Sequence, residues 1–411
     1  MVYRKFNADY LFTGSLMLDD PLTLITDQQG SVIELVDKKD AGDDIETYSG
    51  ILCPGFVNCH CHLELSHMKG LIPPGTGLVS FLLTVMNSRN IPVDNILNAI
   101  EASEAYMYER GIVAVGDICN TDHTLTQKNK RRLYYHSFME ALGFNEQTAE
   151  ARFQHSLSLY ERFRAPFKTN GHTEIFRQPG AAGKSQTDEN RLHSVSIAPH
   201  APYSVSAALF KRICGFTGNG LLTMHNQESD AENEFFLKGT GGMTTLYAAM
   251  GLSISDFQAP GKSSIQSVLP WFTGQAPLIL VHNVVTDKED MQWITENRQA
   301  PVYWCLCPNA NRYVTGRLPD IGLFKEYGCR MVIGTDSLAS NHQLDILEEL
   351  KTLQQHFPEL STEELLSWAT LNGAEALGID KEFGSFEAGK KPGIVIIEGA
   401  GLKEGKARRL L

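Results

Sequence analysis

Short runs of aliphatic residues, each followed by an amphipathic stretch, constrain this chain more than any other feature. Gly111-Ile-Val-Ala-Val-Gly116, Ser194-Val-Ser-Ile-Ala198, Gly220-Leu-Leu-Thr-Met224, Pro277-Leu-Ile-Leu-Val281, Val302-Tyr-Trp-Cys-Leu306 and Arg330-Met-Val-Ile-Gly334 are apolar at successive positions. A strand apolar on both faces is covered on both, as in a parallel sheet flanked by helices. Leu344 to Gln354 carries apolar residues at helical spacing, and Ser361-Thr-Glu-Glu364 is a capping box opening a helix through Leu377, with Gly378 to stop it. Such β-then-α units, repeated over ~330 residues, predict an α/β fold, a (β/α)₈ TIM-type barrel at 54–384. The two chain ends, 1–53 and 385–411, read as short strands and predict a small β-sandwich domain built from both termini. Thr169 to Arg191 has no period and reads as an exposed loop.

Composition narrows the partners. The 411-residue chain has a formal net charge of −12, which repels phosphate backbones and anionic membranes. Its basic clusters, Lys128 to Arg132 and Lys406 to Arg409, are short and read as solvated faces. Neither nucleic acid nor membrane is an expected partner. No signal-peptide core follows the first residues, and windows such as Leu78 to Met86 are too short to span a bilayer, so a cytoplasmic protein is expected. The 8 cysteines form no regular framework and read as reduced thiols.

The chemistry begins at Cys59-His60-Cys61-His62. Side chains alternate faces along a strand, so His60 and His62 should share one face and Cys59 and Cys61 the other, the cysteines as small buried fillers. Cys305-Leu-Cys307 repeats the pattern, but on a predicted seventh strand that does not neighbour the first. Other apolar runs also end in polar groups: Ala198-Pro-His200, Thr223-Met-His225, Ile279-Leu-Val-His282 and Ile333-Gly-Thr-Asp336. Barrel enzymes place their chemistry at such strand ends. Three histidines and an aspartate suit a catalytic divalent metal; the donors fit Zn²⁺, and Fe²⁺ or Ni²⁺ as well. Such an ion lowers the pKa of a bound water to roughly 7. Glu228, just past His225, reads either as the proton carrier beside it or as a solvated loop residue.

Several of these motifs together resemble the amidohydrolase superfamily. Pro54-Gly-Phe-Val-Asn-Cys-His-Cys-His62 is similar to its entry motif. Ala198-Pro-His-Ala-Pro-Tyr-Ser204, His225-x-x-Glu228, Val281-His282 and Gly334-Thr-Asp-Ser-Leu-Ala-Ser-Asn341 are similar to later signatures, in the family's order. Ser194 to Pro202 contains His200 and no lysine, which resembles the mononuclear branch of deaminases and triazine chlorohydrolases. The resemblance implies one divalent ion on His60, His62, His225 and Asp336. It implies that Glu228 protonates a ring nitrogen, that His282 orients or stabilises the nucleophile, that Asp336 also takes the water's proton, and that His200 faces a small heterocyclic substrate.

Cys61-His-Leu-Glu-Leu-Ser66 and Gly334 to Asn341, with Ser337 in it, look most like the aminodeoxyfutalosine deaminases of menaquinone biosynthesis, which act on the 6-amino group of an adenine nucleoside. Arg89 and Asp94 lie near where related enzymes hold ribose. Cys307-Pro-Asn-Ala-Asn311 departs from the family's Cys-Pro-x-Ser-Asn at Ala310. Substrate contacts are thus expected from His200, Arg89, Asn311 and Ser337, while Glu64 and His67 receive no role. The resemblance further suggests a homodimer. Rivals are a same-fold hydrolase with another leaving group and a non-catalytic barrel acting as a binding protein; the latter requires missing ligands, and none is missing.

Overall fold

A computed structural model describes residues 2–18, 22–88, 91–165, 193–255, 257–272, 274–399 and 401–411. Arg89 and the stretch Thr169 to Arg191 lie outside them. The chain ends pair with each other. Strands β1 (Arg4–Phe12), β2 (Met17–Leu18), β3 (Thr23–Thr26), β4 (Val32–Val36) and β5 (Glu46–Pro54) join β14 (Ile394–Glu398) and β15 (Lys406–Arg409) in one sheet. Its order is β15-β14-β5-β1-β3-β4, with β2 paired to β1. Phe6, Leu11, Leu24, Leu52, Ile394 and Ile396 form its core.

Between these ends the chain lays down parallel strands. One sheet runs β6 (Phe56–Cys61), β7 (Ile112–Cys119), β8 (Tyr134–Ala141), β9 (His193–Pro199); a second runs β10 (Leu222–Asn226), β11 (Leu278–His282), β12 (Val302–Leu306), β13 (Arg330–Ile333). All are buried almost end to end, most of them as aliphatic runs apolar on both faces. Backbone hydrogen bonds bridge the sheets at both seams. His225 N–H donates to the His200 carbonyl at 2.9 Å, and the N–H groups of Thr335 and Asp336 each donate to the His60 carbonyl at 3.0 Å. A core cluster draws Val57, Ala114, Phe138, Val281, Cys305 and Val332 from both sheets. Gly334 permits the second seam: a Cβ there would lie 2.8 Å from His60 Cβ and 2.9 Å from Cys305 Sγ.

Three local expectations change. Strict alternation fails in β6, because its register against β7 shifts between Asn58 and Cys61. Cys59 joins the cluster shared with Cys305, while Cys61 packs into the larger core. The strands bearing Cys59 and Cys305 are not paired, as expected, yet both side chains enter one core. The helix predicted from the capping box has its Ser361–Glu364 box but is split at Thr370 into Thr362–Ala369 and Leu371–Ala376. The Thr370 hydroxyl donates to the Leu366 carbonyl at 2.7 Å. Among the described residues, no helix is long and apolar enough to cross a membrane.

Lys128 is the third change. It is buried, not a solvated face, because Asp117 waits for it: Nζ lies 2.5 Å from Asp117 Oδ2 and donates to Ser137 Oγ at 2.8 Å. Burial is the largest single influence and lowers the lysine, but the charges and hydrogen bonds of Asp117 and Cys119 together outweigh it and hold Lys128 above its ordinary value. The other Asp117 oxygen accepts the Leu63 N–H at 2.8 Å, so the pair also fixes the chain just after His62. Removing one partner of a buried pair strands the other charge. Lys128→Met should therefore cost about 3–5 kcal/mol in denaturant unfolding, and the double substitution Asp117→Asn with Lys128→Met should cost less than the single one.

Candidate active site

The C-terminal ends of the central strands converge. His60 and His62 end β6, His225 lies in β10, His282 ends β11, and Asp336 follows β13. His62 Nε2 lies 3.1 Å from His225 Nε2 and 3.4 Å from Asp336 Oδ1, and His60 Nε2 lies 3.5 Å from the same oxygen. The ligand-type atoms of His60, His62 and His225 all lie within 4.8 Å of one another. All four residues are buried.

Burial keeps the imidazoles neutral. It pushes His62 down to about 3, lowers His60 and His225 as well, and the neighbouring imidazoles lower His225 further. Burial would raise Asp336, but the facing His60, His62 and His282 together outweigh that and hold it well below the usual carboxylate range. With neutral His225 donating from Nδ1 to the His200 carbonyl at 2.8 Å, its Nε2 presents a lone pair to His62. Neither ring nitrogen of His60 has a hydrogen-bond partner. Buried lone pairs converging on an ionised carboxylate are the donor set of a divalent cation, so these residues fit one. Glu140, His200 and His225 form a second grouping with metal-type spacing. The Nδ1–H of His225 is committed to His200, so its free lone pair faces His60 and His62 instead.

Supporting residues explain the motifs. Asn58 and Thr335 exchange hydrogen bonds of 2.8 and 3.1 Å across the seam. Ser340 donates to Asp336 Oδ2 at 2.6 Å, and Asn341 donates to the Thr335 carbonyl at 2.9 Å and to Glu349 at 2.8 Å. Asn311 is fully buried; it accepts the Nδ1–H of His282 at 2.8 Å and stands behind that histidine instead of on the cavity wall. The other histidine nitrogen, Nε2, then lies 3.8 Å from Glu228 Oε2. Gln227, His282, Asn283 and Asp336 all have left-handed backbones, with φ of 46°, 76°, 58° and 55°. Strain of this kind persists only where the surroundings over-determine it, and here it clusters at one site.

A cavity of about 560 Å³ opens over the cluster, and His62, His200, His225, Glu228, His282, Asp336 and Ser337 line it. Leu78, Phe81, Val85, Leu246 and Tyr247 supply an apolar wall. Burial is the main influence on Glu228 and raises it, although the facing His282 pulls the other way. Sequence reasoning left out Glu64, Asn120, Glu140 and Arg152, which also line the cavity. Glu64 Oε2 accepts from Asn120 N, Thr121 N and Thr121 Oγ1 at 3.0, 2.9 and 2.8 Å, so its carboxylate is rigidly held. His67 donates from Nδ1 to the Glu64 carbonyl at 3.0 Å, steadying the same turn. The strand-end rule that flagged His200 applies equally to Glu140, near the end of β8. The run Tyr134-Tyr-His-Ser-Phe-Met-Glu-Ala141 lacks β-branched residues and did not stand out.

A family model described as "Amidohydrolase family" matches residues 51–408. This chain belongs to the amidohydrolase family. It is 28% identical over 359 residues to an aminodeoxyfutalosine deaminase of Nitratiruptor sp., covering 85% of this chain and 79% of that one. It is 26% identical over 348 residues to an adenosine deaminase of Helicobacter pylori, covering 84% and 78%. Among solved structures, the H. pylori aminofutalosine deaminase in complex with methylthio-coformycin superimposes with a TM-score of 0.78 at 20% identity, covering 99% and 100%. A triazine hydrolase variant does so with a TM-score of 0.73 at 17% identity, covering 98% and 92%. At these identities the structural matches show the shared fold alone.

One carboxylate beneath the site offers a stability test. Glu232 is fully buried and accepts the N–H of strained Gln227 at 3.0 Å; burial pushes it up to about 7. A carboxyl raised above its ordinary 4.5 stabilises the fold when protonated, and that contribution is lost as pH rises through about 7. Unfolding midpoints should therefore fall across this range in the wild-type protein and fall less in Glu232→Gln.

Proposed function

We propose that this amidohydrolase is a hydrolytic deaminase that replaces the exocyclic amine of a purine nucleoside, or a related heterocycle, with oxygen and releases ammonia. The observation that carries this reading is the pairing of Glu228 with His282 on the wall of a cavity lined by His62, His225 and Asp336, with His60 buried beside them. The reading treats the two four-stranded sheets as one (β/α)₈ barrel at 54–384, with 1–53 and 385–411 as its β-sandwich. The hydrogen bonds at both seams support that closure.

His60, His62, His225 and Asp336 would hold the divalent ion; the all-nitrogen-and-oxygen set suits zinc, and iron or nickel share it. When bound, the ion acidifies a water so that it is nucleophilic near neutral pH. Asp336, held ionised, accepts a proton from that water. Glu228, raised by burial, carries a proton to the ring nitrogen beside the attacked carbon, so the ring can take up the electron pair. His282, fixed by Asn311, steadies the nucleophile opposite Glu228. Collapse of the tetrahedral centre breaks the carbon–nitrogen bond: the amine leaves as ammonia with the proton Asp336 took up, and the new hydroxyl returns a proton to Glu228 as the ring carbonyl forms. His200 and Ser337 face the bound ring, and Arg89 is kept as a substrate contact.

The names of the two relatives support an adenine-type nucleoside, with aminodeoxyfutalosine, and so menaquinone biosynthesis, as the favoured case. With it we propose a cytoplasmic homodimer that acts on a small molecule and has neither nucleic acid nor membrane as partner. Ammonia release across purine nucleosides, guanine and amino-triazines, with chloride release from chloro-triazines alongside, tests the reading. Release of chloride without ammonia would sink it. Glu228→Gln should keep its metal by elemental analysis yet lose about 10²–10⁴-fold in turnover.

A further inference from the structure

We infer that Gln227 and Asp290 are positioning residues that hold Glu228 and His282 together as one unit. The inference rests on the deaminase reading and accounts for how its acid and its orienting histidine keep their separation. Glu228 follows β10 and His282 ends β11, two paired strands in which Asn226 lies opposite His282. The carboxylate and the imidazole stand 3.8 Å apart, and both line the cavity. Both emerge from left-handed backbone: Gln227, just before Glu228, has φ 46°, while His282 and Asn283 have 76° and 58°. Two strained strand ends keep a fixed separation only where other contacts over-determine them.

The tie is the side chain of Gln227, which is fully buried and lies behind the cavity wall. Its Oε1 accepts the Thr286 hydroxyl at 2.7 Å. Its Nε2 donates to Asp290 Oδ2 at 2.6 Å and to Asn233 Oδ1 at 3.3 Å. The Gln227 carbonyl accepts the Val285 N–H at 3.0 Å, and Asn226 beside it donates from Nδ2 to Asn283 Oδ1 at 3.0 Å. The end of β10 thus grips the loop that follows His282 and the helix after it. Asp290 makes that grip rigid. It is fully buried in the first turn of the helix Lys288–Asn297, where it completes a capping box with Asp287. Its Oδ1 accepts the Ser263 hydroxyl and also Gln266 Nε2, the latter at 2.9 Å. These donors are neutral, and among the described residues no lysine or arginine charge supports the carboxylate. A buried carboxylate held in this way needs each donor, so residue 227 must offer an N–H to Asp290 and an oxygen to Thr286. An amide meets both demands, whereas a carboxylate meets one. Neither Gln227 nor Asp290 lines the cavity, so they act through Glu228 and His282.

The test uses metal-loaded full-length protein and the purine nucleoside from which the wild-type protein releases ammonia fastest, with kcat counted per bound metal ion. Gln227→Glu sets a second carboxylate against Asp290. It should lower kcat roughly 10- to 100-fold while KM and metal content stay near wild type. Adding Asp290→Asn reverses the hydrogen bond: the new amide donates where Asp290 accepted and still accepts from Ser263 and Gln266. The double substitution should therefore restore most of kcat. In a Glu228→Gln background, Gln227→Glu should cost less than it does alone, because the group it positions is already gone. An unchanged kcat in Gln227→Glu, a loss confined to metal content or folded fraction, or no recovery in the double substitution overturns the inference. If the wild-type protein releases ammonia from none of the nucleosides, the deaminase reading fails instead. Nitrogen NMR of histidine-labelled, zinc-loaded protein then decides the tie. Gln227→Glu should move the His282 ring signal, identified by its loss in His282→Gln, and adding Asp290→Asn should return it. A signal that stays in place overturns the inference.

Discussion

The seam between β6 and the turn after β13 is the constraint on which the site depends. There the His60 carbonyl receives two backbone N–H groups, from Thr335 and Asp336, while the Asn58 amide donates to Thr335 Oγ1 and accepts the Thr335 N–H beside it. Residues separated by almost the whole central region thus meet at hydrogen-bond distance. Gly334 is bare because any side chain would push the seam apart against His60 and Cys305. The left-handed backbone of Asp336 is tolerated because these contacts over-determine it.

Electrostatics follows from that geometry. Buried imidazoles surround one carboxylate: burial lowers His60, His62 and His225, and Asp336 is held well below the usual carboxylate range by the histidines that face it. That combination presents lone pairs and one negative charge to the cavity floor. Behind it, Lys128 neutralises Asp117, which can then hold the Leu63 N–H without leaving an isolated charge in the core. Floor and backing are connected through the short turn carrying Glu64, whose Oε2 is saturated by the loop after β7.

Much of this was legible in the chain, and the failures have physical causes. Doubly buried strands announce themselves as unbroken aliphatic runs, so β7 and β9–β13 could be placed, and polar groups at their ends marked His200, His225, His282 and Asp336. β8 did not announce itself, because aromatic and polar residues fill it, and Glu140 was lost with it. The strict two-residue period failed in β6, where a register shift sends Cys59 and Cys61 into different cores. Lys128 was misread because composition cannot show that a lysine has a buried partner. Asn311 was expected at the substrate and instead orients His282, a distinction of a few ångströms that no motif encodes.

The sequence by itself determined the donor types, their order and the strand ends that carry them, since these depend on local patterning within each strand. It also determined the family, because so many short motifs recur in register. Tertiary structure alone decided that His60, His62, His225 and Asp336 converge at one point and that Asp117 absorbs the Lys128 charge. Those outcomes depend on which distant strands and loops pack together, and on the loss of water that shifts each buried group once they do.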